Sequence, residues 1–264
     1  MIDTGTILFP AAEGEEERTY YVYVPEEDPD DPDRRYPVLY MFDGHNVFFD
    51  EDATYGKSWG MGEYLEETGA PLIVAAVECN HHEPCGRIRE YSPYDFSHRM
   101  FGGLVRGYGQ VTMDWYTGVF KPFVDENYPT LPDREDTFIG GSSMGGLMSL
   151  FAICRYNHVF SRAAVLSPSI AFGVPDMDDM INGGYMAPDT VIYMDFGERE
   201  LGWHRKMPGR WRAVNNMLLR KGALLTSRIV PGGEHCEASW ERQLPFAIPT
   251  LLFREEDPTD GDTL

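Results

Sequence analysis

Gly141-Ser142-Ser143-Met144-Gly145 has the spacing G-x-S-x-G. Small residues two places before and after a serine suit a sharp turn between a strand and a helix, because they let the two elements approach closely. A serine on such a turn projects into a cleft, with the N-terminus of the helix beneath it favouring negative charge. Its hydroxyl is a weak nucleophile until a base takes its proton. Ser142 adjoins it, but only Ser143 has glycine at both −2 and +2. The chemistry expected of Ser143 is attack on an acyl carbon to give a covalent serine ester.

A base must reach that hydroxyl. His235, in Pro231-Gly232-Gly233-Glu234-His235-Cys236-Glu237, follows the last apolar run and opens the last helical pattern. His81 and His82 lie on a polar loop, and His98, His158 and His204 have no strand end before them. His45 comes too early for the chain order serine, acid, histidine. A carboxylate after the run at 191–194 would fix the imidazole's tautomer and stabilise the imidazolium. Asp195, Glu198 and Glu200 all stand there, and the residues leave the three open. A tetrahedral oxyanion needs two preorganised N–H donors. The backbone amide of Met144 is one expected donor, and that of His45, in the turn Asp43-Gly44-His45-Asn46, is the other.

Cys79, His81, His82, Glu83 and Cys85 crowd one loop, and such side chains can hold zinc. Their spacing matches no closed structural site and no second ligand pair appears, so the loop reads as solvated cover over the cleft and no metal is expected.

The elements that must position these residues are short apolar runs. Residues 6–9 and 19–24 read as an antiparallel pair at the start of the chain. The runs 37–42, 72–77, 137–139, 163–166, 191–194 and 227–230 read as strands buried on both faces. Helical patterns at 62–68, 113–127, 145–156, 210–221 and 237–253 alternate with them. Alternation of this kind predicts a mostly parallel sheet with helices on both sides, formed by residues 1–264 as a single α/β domain. Its site should lie beyond the carboxyl ends of the strands.

Composition narrows the partners. The net charge is −21, carried partly by acidic runs at 26–33 and 255–262. A chain this acidic is a poor nucleic-acid ligand and a poor match for an anionic membrane. The N-terminus lacks a basic segment followed by an apolar one, and no apolar stretch is long enough to span a bilayer. The four cysteines are scattered and read as free thiols, which fits a cytoplasmic protein.

Five segments together resemble the esterase family of α/β-hydrolases that includes esterase D, enterochelin esterases and feruloyl esterases. They are residues 36–48, Arg89-Glu90-Tyr91-Ser92-Pro93, residues 140–147, Leu166-Ser167-Pro168-Ser169 and residues 232–240. The resemblance spans about Tyr36 to Phe253 and implies the α/β-hydrolase fold, a Ser-acid-His triad and no cofactor. In the family the acid commonly lies three residues after a glycine that ends its strand. Gly197 is that glycine here, which points to Glu200, a glutamate where many relatives carry aspartate. Relatives often carry asparagine where Cys236 stands. The stretch Tyr55-Gly56-Lys57-Ser58-Trp59-Gly60 resembles one that lines the acyl or alcohol pocket, which makes Trp59 a candidate stacking wall.

The expected activity is hydrolysis of a small-molecule ester through an acyl-enzyme. Acyl transfer to an alcohol other than water, and a binding protein that kept the fold without catalysis, are the alternatives. Polar or Gly/Pro-broken loops at 80–91 and 176–188 favour short or aromatic acyl groups over long lipid chains. Oligomeric state is not legible.

Overall fold

The computed structural model describes residues 1–11, 14–26, 28–81, 83–172 and 174–254, with the side chains of 174 and 175 excepted. His82, Glu27 and the acidic run at 255–262 lie outside the described residues.

Eight strands form one sheet in the order β1-β2-β4-β3-β7-β8-β9-β10. They are β1 (Ile2–Ala11), β2 (Gly14–Tyr23), β3 (Val38–Met41), β4 (Ile73–Val77), β7 (Thr137–Ser142), β8 (Arg162–Leu166), β9 (Val191–Gly197) and β10 (Leu224–Val230). β1 and β2 pair antiparallel, and β2 meets β4 antiparallel. From β4 to β10 every pairing is parallel. A separate hairpin, β5 (Phe96–His98) with β6 (Gly103–Val105), is an insertion that no apolar run announces.

The central strands are apolar without interruption because both faces are covered. Successive side chains of a strand point to opposite faces. Val38, Tyr40, Ile73, Ala75, Ile139 and Val165 enter one apolar layer, while Leu39, Met41, Val74, Ala76, Phe138 and Leu166 enter the other. Helix Met144–Arg155 packs in the first layer and helix Leu244–Leu252 in the second.

Several boundaries differ from the sequence reading: the run at 227–230 lies in the edge strand Leu224–Val230 and is largely exposed, and the pattern at 237–253 breaks into helices Glu237–Glu241 and Leu244–Leu252. The pattern at 113–127 begins at Gly109 and passes through a π-helical turn at Tyr116–Phe120 ahead of Pro122, whose ring would clash with a carbonyl in regular α geometry. The segment expected as loop at 176–188 contains helix Val174–Asn182. Met177, Met180 and Ile181 recur at helical spacing and are buried, so three apolar contacts outweigh the flanking Gly and Pro signals. Finally, β9 runs on to Gly197, which places Asp195 inside the sheet. No helix among the described residues is long and apolar enough to cross a membrane.

Candidate active site

β7 ends at Ser142, and helix Met144–Arg155 begins one residue after Ser143. Ser143 itself has φ 59° and ψ −119°, a conformation that L-residues rarely adopt. The strain is held by backbone bonds on both sides. Ser143 N–H donates to Leu166 O at 3.1 Å, and Ser169 N–H donates to Ser143 O at 2.9 Å. The glycines permit the turn: a Cβ on Gly141 would sit 2.9 Å from the carbonyl carbon of Gly145. Ser142 belongs to the strand, paired with Leu166, and is buried.

His235 comes from the loop between β10 and helix Glu237–Glu241. Its Nε2 lies 2.8 Å from Ser143 Oγ and its Nδ1 lies 2.6 Å from Glu200 Oε2. Glu200 is fully buried in the short helix Glu198–Leu201 that follows β9. Its other oxygen, Oε1, accepts the Gly197 N–H at 3.0 Å and the Ser167 hydroxyl at 2.7 Å. Ser167 Oγ in turn accepts the Trp240 indole N–H at 3.1 Å. A buried carboxylate needs such partners to remain charged.

The other two carboxylates are engaged elsewhere. Asp195 points into the sheet, where Tyr193 Oη–H donates to Oδ2 at 3.0 Å and Ser167 N–H to Oδ1 at 3.2 Å. Burial pushes its carboxyl up to about 7, against those two bonds. Glu198 turns away and accepts the Gly232 N–H at 2.8 Å.

Met144 is the first residue of its helix, so its N–H falls among those that the helix itself cannot bond. The turn Gly44–Asn46 is a 3-10 helix whose first bonds run from Asn46 N–H to Asp43 O and from Val47 N–H to Gly44 O. The His45 amide precedes both donors. This turn is fixed from beneath. Asp43, at φ 59°, makes a two-pronged ion pair with Arg87 at 2.6 and 2.7 Å and donates its N–H to Tyr91 Oη at 3.0 Å. Burial by itself would raise the Asp43 carboxyl, but Arg87 overcomes it and the net shift is downward.

The His45 side chain is buried, and this pushes its pKa down to about 4. It faces Thr54 through Nε2 at 3.0 Å and His81 through Nδ1 at 3.2 Å. With Cys79 these two histidines make a group able to hold a metal ion. The sequence reading had placed Cys79 and His81 on a solvated loop and had not joined His45 to them.

Trp59 requires a correction. It is only 3% exposed and packs against Trp240, with ring centroids 5.9 Å apart. Its bulk completes the apolar layer that also holds Trp240, so it offers no open wall to a substrate. The open aromatic face belongs to Trp203, 63% exposed, with its ring centroid 5.3 Å from that of His235. No periodicity marked Trp203, because it stands on a turn between two helices. Ser167 and Trp240 were visible in matching segments but carried no role.

Known proteins can be set beside this geometry. "Uncharacterized protein YbbA" of Bacillus subtilis (strain 168) is 25% identical over 197 residues, covering 71% of this chain and 72% of that protein. The BES protein of Bacillus cereus superposes with a TM-score of 0.70 at 18% identity, over 95% of this chain and 94% of that one. An IroE-like serine hydrolase from Shewanella oneidensis gives a TM-score of 0.70 at 17% identity, over 93% and 79%. These two structures share the α/β-hydrolase fold with its antiparallel N-terminal strands. The family model described as "Putative esterase" matches residues 11–251, and the chain belongs to that family.

Proposed function

We propose that the protein is a serine carboxylic-ester hydrolase that works through an acyl-enzyme. The observation that carries this reading is the unbroken line from Ser143 Oγ through both nitrogens of His235 to Glu200. Ser143 Oγ attacks the ester carbon while His235 Nε2 takes its proton. The carbonyl electron pair moves to oxygen, and the Met144 and His45 amides face the resulting oxyanion. As the intermediate collapses, Nε2 returns the proton to the departing alcohol. Water then attacks the acyl-serine by the same route, giving the carboxylic acid and free Ser143. Glu200 holds the Nδ1 proton throughout and offsets the imidazolium charge.

The substrate class we infer is a small ester with an aromatic or sugar-linked group. Trp203 supports this, since an exposed indole beside His235 offers a stacking face to an aromatic or sugar-linked group. The structurally similar Shewanella protein is described as a serine hydrolase, in keeping with the mechanism.

A fluorophosphonate probe followed by peptide mass mapping tests the mechanism. The expected adduct is on Ser143, with labelling lost in His235→Ala. Labelling at Ser142, or none alongside intact ester turnover, would sink the proposal. A panel of p-nitrophenyl esters of graded length, with feruloyl and acetyl-sugar esters, tests the substrate class; faster turnover of a palmitoyl than of a butyryl ester contradicts it.

A further inference from the structure

We propose that His45, Cys79 and His81 form a binding site for a thiophilic transition-metal ion of the zinc class, set between the loops that leave β3 and β4. The two strands are parallel neighbours, so their carboxyl ends deliver the three side chains to one place. His45 Nδ1 lies 3.2 Å from His81 Nε2, and Cys79 Sγ lies 3.8 Å from that same Nε2. All three ligand atoms fall within 4.8 Å of one another.

These separations match the edges of a coordination tetrahedron. Zinc–nitrogen bonds of about 2.1 Å and a zinc–sulfur bond of about 2.3 Å put two nitrogens about 3.4 Å apart and nitrogen and sulfur about 3.6 Å apart. On these two edges an ion needs shifts of about 0.2 Å, and the third, Cys79 Sγ to His45 Nδ1, lies within 4.8 Å and closes to about 3.6 Å as the ion binds. The surroundings also suit a ligand histidine. Metal-bound imidazoles characteristically give their second nitrogen to a fixed partner, and Thr54 Oγ1 stands 3.0 Å from His45 Nε2. In that tautomer Nε2 carries the proton and the Nδ1 lone pair faces the ion.

Balance is simple. The ion takes Cys79 as thiolate, the thiol proton leaves to solvent, and both imidazoles bind as neutral donors. His45 and Cys79 are buried and His81 is exposed, so the ion enters from the His81 side and keeps its fourth position for water. Such an ion ties the loop bearing the His45 amide to the loop after β4.

The test uses the full chain, reduced and freed of metal by a chelator, titrated with Co²⁺ as a spectroscopic stand-in for Zn²⁺. One equivalent should give tetrahedral visible bands and a thiolate charge-transfer band in the near ultraviolet, both erased by Zn²⁺. His81→Ala, a change at an exposed side chain, should weaken uptake by at least about tenfold, and Cys79→Ser should remove the charge-transfer band. Ser143→Ala should bind Co²⁺ as the wild type does, which separates this site from the esterase reading. Uptake without a thiolate band, or uptake equal in His81→Ala, overturns the site: the pair would then be a plain imidazole hydrogen bond beside an idle thiol.

Discussion

Ser167 Oγ lies 2.7 Å from Glu200 Oε1, the carboxylate oxygen that faces away from His235. Ser167 is itself strained, at φ 40°, on the turn that follows β8. One hydroxyl thus links three strand ends: it donates to Glu200 after β9, accepts from Trp240 after β10, and sits on the turn after β8 beside Ser143. A carboxylate held on one side by Ser167 and Gly197 presents its other oxygen in a single direction, towards His235 Nδ1.

On the proposed mechanism, Ser167 positions Glu200. Ser167→Ala should lower kcat for a good ester by roughly 10- to 100-fold, the worth of a hydrogen bond to a charged group, and leave KM near its wild-type value. Steady-state kinetics on one substrate checks this, and a rise in KM at constant kcat would assign Ser167 to binding instead.

Among the three carboxylates, Glu200→Gln should be the crippling change, with kcat reduced on the order of 10⁴-fold as the imidazole loses its orienting charge. Glu198→Gln should stay within about tenfold of wild type, because its partner is the Gly232 amide and amide oxygens accept as well. Comparable losses in the two variants would displace Glu200 from the triad.

Trp203→Ala should leave the melting temperature nearly unchanged, since the side chain is largely exposed. Its effect should fall on aromatic esters: kcat/KM reduced by several-fold to about tenfold for a feruloyl or benzoyl ester, in keeping with an aromatic contact of about 0.5–1.5 kcal/mol, and hardly at all for an acetyl ester. Equal losses for both esters would remove Trp203 from substrate recognition.

Asp195 gives a pH signature. Its folded pKa of about 7 lies above the usual aspartate value of about 3.9. Between those values the folded chain keeps a proton that the unfolded chain has released, so this group's contribution to stability falls as pH rises through that window and levels off above it. Asp195→Asn has no proton to lose. The difference in urea midpoint, variant minus wild type, should therefore grow between about pH 4 and pH 7 and level off above. A difference constant across that range would show that Asp195 ionises in the native state as it does in the unfolded chain.

Gly141→Ala tests the turn. The added methyl would meet the Gly145 backbone at 2.9 Å, and neither the sheet nor the helix can yield. A loss of about 1–3 kcal/mol is expected, read as a lower urea midpoint at unchanged slope. An unperturbed midpoint would mean that the glycine spacing around Ser143 is not sterically required.

The sequence by itself determined the parallel sheet and the strand–turn–helix around Ser143. Apolar runs in the middle of the chain read as strands covered on both faces, although β10 at the edge proves largely exposed, and G-x-S-x-G between such a run and a helix is a local steric requirement read within five residues. Position after the last strand likewise singled out His235, which the fold brings to 2.8 Å from Ser143 Oγ. Tertiary structure decided what depends on the direction of side chains across strands. Asp195, Glu198 and Glu200 differ by a few residues, yet one points into the sheet, one to a neighbouring loop and one to His235, because β9 runs on to Gly197 before the chain turns. The same holds for aromatic rings. Trp59 and Trp203 both stand near glycines in sequence, but packing against Trp240 buries the first and a turn leaves the second open beside the base. His45 and His81 lie 36 residues apart, and only the parallel pairing of β3 with β4 brings their nitrogens to 3.2 Å. Local spacing records a turn or a periodicity; it carries no record of which strand ends become neighbours, and that adjacency assembles the acid, the aromatic face and the histidine–cysteine group.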